Sequence, residues 1–157
     1  MTERRKLIAG NWKMNGLAAQ LGEVSGIAAL AGERADIDVA LFLPATLIAA
    51  AAPLRGTALI GGQDVHAADS GAFTGNISAA MLIEAGAGGT LVGHSEHRQY
   101  QQESSADVAA KADQEHKHGL KVVLCIGETL ETREQGDDVA HGWVVDQLKA
   151  SLPQGAD

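Results

Sequence analysis

The 157-residue chain has one cysteine, Cys125, three prolines and only 3% aromatic residues. A single thiol excludes any disulfide within the chain and leaves no cysteine set to hold a metal ion; it fits a reducing, cytoplasmic setting. Positive charge is scarce, with 12 Lys and Arg against 20 Asp and Glu and a formal net charge of −8. Nucleic acid or an anionic membrane as main partner would select basic patches, so both are excluded from that role. An anionic small molecule held at one local positive site is not excluded. Long apolar runs are also missing. The apolar stretch behind the basic start Met1 to Lys6 stops at Asn11, short of the roughly 7–15 apolar residues of a signal peptide. The alanine-rich run around Ile48 to Ala52 is far too short to span lipid.

What is present is 45% hydrophobic, ample for one domain, or for part of a larger one, and thin for two. Apolar bursts recur at Leu7 to Gly10, Val39 to Leu43, Ala58 to Gly61, Thr90 to Gly93 and Val122 to Gly127. Each is nearly continuous, as strands covered on both faces are. Between them, Leu17, Leu21, Val24, Ala28 and Ala31 share one helical stripe, as do Ala140, Val144, Leu148 and Leu152. Ser104 with Asp107 predicts a helix start, and Gly119 its C-terminal stop. Ala35 to Asp38 and Gly136 to Asp138 read as loops or helix entries. The pattern is β-α repeated five times, an α/β chain with a parallel sheet and right-handed crossovers. An open doubly wound sheet and part of an eight-stranded β/α barrel both satisfy it. The glycine cluster Gly86 to Gly89 precedes a strand instead of following one, so it is not a dinucleotide fingerprint.

In either architecture chemistry collects at the C-terminal strand ends. Those ends carry Asn11 and Lys13, then Gln63 and Asp64, then His94, Ser95 and Glu96, and finally Glu128. An isolated lysine is most simply a solvated one, but at a strand mouth Lys13 is a candidate for holding an anion or stabilising oxyanion charge. An isolated histidine is most simply structural. His94, between an apolar strand and a helix start, is instead placed to accept from helix N–H groups, remain neutral and donate its other N–H to a carbonyl. Glu96 either orients the site, pairs with Lys13, or is merely exposed. Metal readings fare poorly: His116 and His118 diverge on a helix, and His94-Ser95-Glu96 lacks the cysteine pair of a zinc deaminase. Cys125 reads as a small buried apolar residue.

Taken together, "AGNWKMN" (Ala9 to Asn15), "GAFTGNISAAML" (Gly71 to Leu82), "LVGHSEHRQY" (Leu91 to Tyr100) and "VVLCIGETLETRE" (Val122 to Glu134) resemble the triosephosphate isomerase family, in its order and near its spacing. The resemblance implies a (β/α)8 TIM barrel, of which residues 1–157 are the N-terminal portion, an incomplete barrel of about five βα units. It implies interconversion of dihydroxyacetone phosphate and glyceraldehyde 3-phosphate, a step of glycolysis and gluconeogenesis, through an enediolate and without metal or organic cofactor. It carries Asn11 and Lys13 over as substrate-binding residues. Lys13 also acts electrostatically, His94 is the electrophile and Glu96 a supporting carboxylate. The neutral histidine is the family's established device. A homodimer is implied too, with the Asp64 to Asn76 loop, bearing Phe73 and Thr74, reaching the neighbouring subunit; a self-packed Ω-loop is the alternative. Asn76 stands where an acid is common and His97 where an arginine is common, which argues against a charge pair across that interface.

The family continues beyond the equivalent of Asp157 with its general-base glutamate, mobile lid and phosphate loops. The chain alone is therefore expected to be inactive, to expose unpaired edges on its first and fifth strands, and to need a complementary C-terminal segment or further copies of itself. A non-catalytic complementation or assembly fragment of the barrel is the alternative.

Overall fold

The structure, a computed structural model, describes residues 4–153, so Met1 to Glu3 of the basic start lie outside the described residues. Five strands, β1 (Lys6–Asn11), β2 (Ile37–Phe42), β3 (Leu59–Gly62), β4 (Gly89–Val92) and β5 (Lys121–Leu124), form one parallel sheet in the order β1-β2-β3-β4-β5. Among the described residues seven α-helices lie between and after them: α1 (Gly22–Gly32), α2 (Ala45–Ala51), α3 (Ala79–Glu84), α4 (Ser95–Tyr100), α5 (Ser105–Lys117), α6 (Leu130–Glu134) and α7 (Asp137–Ser151). The strand order never reverses, as it must in a doubly wound sheet, and this decides for the half-barrel.

The two faces of the sheet confirm it. Leu41, Leu43, Ile60 and Val92 pack with Val24, Leu47, Ile48, Leu82, Val108 and Ala112 from the helices. The intervening residues Ala40, Phe42 and Leu91 form a separate cluster with Leu59, Val123 and, just past β5, Cys125. Helices therefore cover one face, and the other is the lining of a barrel that five strands leave open. Phe42, 1% exposed, fills this lining over Gly61. A Cβ at Gly61 would stand 2.6 Å from the Phe42 ring and 2.7 Å from the Gly89 carbonyl oxygen, so glycine is what leaves room for the ring beside the strand. Among the described residues β1 pairs only with β2 and β5 only with β4, and Leu7 and Ile8 on β1 are half exposed, as an unpaired edge requires.

Element ends follow local chemistry. Ser104 accepts from the Asp107 N–H while the Asp107 carboxylate accepts from the Ser104 N–H, a reciprocal cap at the start of α5. At its other end Gly119 takes φ +75°, and the Leu120 and Gly119 N–H groups donate back to Glu115 and His116. Three boundaries differ from expectation. Leu17 is exposed and lies outside α1, because Gln20 bonds its N–H and a short 3-10 turn intervenes. Ile37 and Asp38 belong to β2, paired with Lys6 and Leu7. β5 stops at Leu124, so Cys125 to Gly127 belong to its mouth. No helix among the described residues is long and apolar enough to cross a membrane.

Candidate active site at the strand mouths

Asn11 ends β1, and its Oδ1 accepts from the Lys13 N–H at 2.8 Å. That turn holds Lys13 at φ +53°, a left-handed conformation a lysine rarely adopts. Gln63, just past β3, lies with its Nε2 within hydrogen-bond range of Asn11 Oδ1 (3.1 Å), the Lys13 carbonyl (2.9 Å) and the Phe42 carbonyl (3.2 Å). One amide thus gathers the ends of β1, β2 and β3. The Lys13 side chain then reaches across to α4, where Nζ donates to Glu96 Oε1 at 2.7 Å. The Lys13 ammonium holds the Glu96 carboxyl below its ordinary range. Both side chains are about half exposed, so water screens the pair and its main consequence is where it holds Nζ.

His94 occupies the N-cap of α4, and its Nδ1 accepts from the Glu96 N–H at 3.2 Å. Acceptance at Nδ1 assigns the ring proton to Nε2, giving a neutral imidazole with a free N–H donor. Asn11, Lys13, Gln63, His94 and Glu96 line one cleft of about 220 Å³. His94 also borders a recess of about 740 Å³ at the β5 edge, shared with Cys125, Glu128, Leu130 and Trp143. Burial pushes the Cys125 thiol up, which suits an inert residue and not a nucleophile. Glu128 is tied to Arg133.

Phe73 and Thr74 are exposed on the loop between β3 and α3, and the lining of the cleft does not include them. The loop is held by a ring contact within it and a bond to the end of α5. The Phe73 ring lies 4.0 Å from the His66 ring between centroids, and Asp69 Oδ1 is 2.6 Å from Nε2 of His118, just past the end of α5.

Beside the cleft lies a charge cluster that spacing along the sequence does not reveal. Lys111 on α5 donates to Asp64 Oδ1 at 2.6 Å and to Glu103, while His97 Nδ1 stands 3.6 Å from Asp64 Oδ1. Burial alone would lower the Lys111 pKa, but the hydrogen bonds to Asp64 and Glu103 reverse this and raise it. Asp64, His97 and Glu103 each bring a ligand atom within 4.8 Å of the others. The Lys111 ammonium already bridges the two carboxylates, which makes this an ion-pair centre and not an open metal site. One turn further along α5, Glu115 is fully buried, and neither carboxyl oxygen has a hydrogen-bond partner among the described residues. Burial, with Asp64 nearby, pushes its pKa up to about 8.

Of the expected residues, then, Asn11, Lys13, His94 and Glu96 come together. Gln63 was visible as a strand-end residue but not as the clamp it forms, and Arg98, Glu103, Lys111 and Glu115 carried no signal beyond their charge.

Known proteins resemble this chain along almost all of its length. The family model described as triosephosphate isomerase matches residues 6–157. The triosephosphate isomerase of Xanthobacter flavus is 51% identical over 157 residues, covering 98% of this chain and 61% of that protein. That of Ruegeria sp. (strain TM1040) is 49% identical over 152 residues, covering 96% of this chain and 60% of that protein. The crystal structure of the Bartonella henselae triosephosphate isomerase superposes with a TM-score of 0.90 at 44% identity, covering 98% of this chain and 64% of that one. The chain thus spans about 60% of the length of the curated relatives it matches. With a half-barrel of matching topology and this match along almost all of its length, the chain belongs to the triosephosphate isomerase family.

Proposed function

We propose that this chain supplies the electrophilic half of an aldose–ketose isomerase site acting on triose phosphate, and that the activity belongs to the completed barrel. One observation carries the reading: Glu96 places one oxygen 2.7 Å from Lys13 Nζ and the other 3.6 Å from His94 Nδ1, so a cation and a neutral imidazole share one cleft. Lys13 and Asn11 bind the anionic substrate, and Lys13 offsets charge as the carbonyl oxygen becomes an enediolate oxygen. His94 donates from Nε2 to the carbonyl and moves a proton between the two oxygens. A carboxylate base removes the proton from the carbon beside the carbonyl and returns it to the neighbouring carbon, so there is no net oxidation. Glu96 is engaged by Lys13 and is not that base; the base comes from the remaining two-fifths of the barrel, as do the phosphate loops.

The test is to assay the chain alone and mixed with the C-terminal two-fifths of a relative such as the Xanthobacter flavus enzyme. No turnover alone and turnover on mixing are expected; full turnover by the chain alone overturns the placement of the base. The unpaired edges of β1 and β5 favour a second reading, a non-catalytic complementation or assembly module. It predicts a defined complex on mixing with no isomerase activity. A homodimer contact through Phe73 and Thr74 belongs to the completed protein, and a cytoplasmic setting suits the single cysteine.

A further inference from the structure

We propose that Arg98 is a positioning residue through which the fifth βα unit sets the orientation of His94. All three nitrogens of its guanidinium are used, each on a different element. Nε donates to the Gly93 carbonyl at 2.8 Å, Nη1 to Ser105 Oγ at the start of α5 at 3.1 Å, and Nη2 to Ser151 Oγ at the end of α7 at 3.0 Å. Ser151 is fully buried although it stands 53 residues away in sequence.

Gly93 is the residue immediately before His94. Its φ is +69°, and a Cβ there would lie 2.7 Å from Arg98 Nη2, so the guanidinium occupies the space beside the glycine backbone. His94 leaves that backbone with its ring aimed by a single further bond, from the Glu96 N–H to Nδ1. Two anchors therefore fix the imidazole, and Arg98 supplies the one on the strand side. A planar fork serves three divergent acceptors at once, whereas the single ammonium of a lysine cannot keep all three directions. The cleft and α7 are coupled through this one side chain.

The inference takes the importance of His94 from the proposed isomerase reading, but its test reads His94 directly and uses no turnover. Nitrogen-15 histidine NMR of the whole chain, at a pH where histidines are neutral, distinguishes the two ring tautomers. Wild type is expected to show His94 as a single Nε2–H tautomer. R98K and S151A are expected to lose that single pattern, R98K the more completely, with the His66 and His118 signals unmoved. S151A removes one bond and leaves the guanidinium intact, so it carries the test alone if R98K fails to fold. A folded R98K or S151A whose His94 signals superpose on wild type overturns the proposal. Absence of turnover after barrel completion overturns the isomerase reading and leaves this inference standing.

Discussion

Lys13 Nζ and Glu96 Oε1 meet at 2.7 Å although 83 residues separate them in sequence, and in doing so they bridge the mouths of β1 and β4. The ammonium is the main cause of the lowered Glu96 pKa. K13M is therefore expected to return the Glu96 carboxyl towards the ordinary glutamate range. Carbon-13 NMR titration of that carboxyl reads the change, and an unaltered midpoint means the pair does not persist in solution.

The hydrogen bond at Nδ1 leaves His94 with its proton on Nε2, the atom available to a carbonyl oxygen. In the completed barrel H94Q is expected to lower kcat by roughly 10²–10⁴-fold, the usual contribution of a positioned acid–base group. Steady-state kinetics decide it, and unchanged turnover removes His94 from the reaction.

Glu115 gives the chain a pH dependence opposite in sign to that of a paired carboxylate. Its folded pKa of about 8 lies above the ordinary value of 4.5, so the folded state binds more protons than the unfolded one between those limits. Stability from this group is complete below the unfolded value and is lost progressively as pH rises towards 8. The loss is on the order of a few kcal/mol at most. E115Q, which cannot ionise, is expected to raise Tm at pH 8 relative to wild type and to flatten the profile from pH 5 to 8. Parallel wild-type and variant profiles contradict the buried-acid account.

Gly61 faces both the Phe42 ring and the Gly89 carbonyl oxygen at under 3 Å from where its Cβ would stand. G61A is expected to destabilise by about 1–3 kcal/mol, the usual range for overpacking. F42L relieves the ring contact but not the backbone one, so the double variant G61A/F42L should recover only part of the loss incurred on going from F42L alone. Urea denaturation midpoints measure both, and a G61A midpoint equal to wild type defeats the close-packing account.

Much of this was legible in the sequence for a definite reason. Strands buried on both faces write themselves as apolar bursts, and the caps of α5 lie within a few residues of one another at Ser104, Asp107 and Gly119. The strand-end residues followed once the sheet was known to be parallel. What remained hidden were partnerships between elements. Nothing in the chain order announces that Gln63 gathers Asn11, Lys13 and Phe42, or that Arg98 finds Ser151. Glu115 carries no signal in the chain order, because its burial arises only once α5 packs against β4, β5 and α7. Leu17 was misplaced for the converse reason: it fits the helical stripe, but Gln20 captures its N–H and starts the helix later.

The sheet order also bears on how the molecule is made. Because each strand pairs with its immediate predecessor in the chain, every pairing, from Lys6 with Ile37 to Gly89 with Lys121, closes across one crossover connection, and no pairing within the sheet waits for a more distant segment. The arc can assemble in the order in which a ribosome releases it, one unit docking on the last. The only strand pairing of high sequence separation that a full ring demands is the seam at β1, which stays unsatisfied until the final strand arrives.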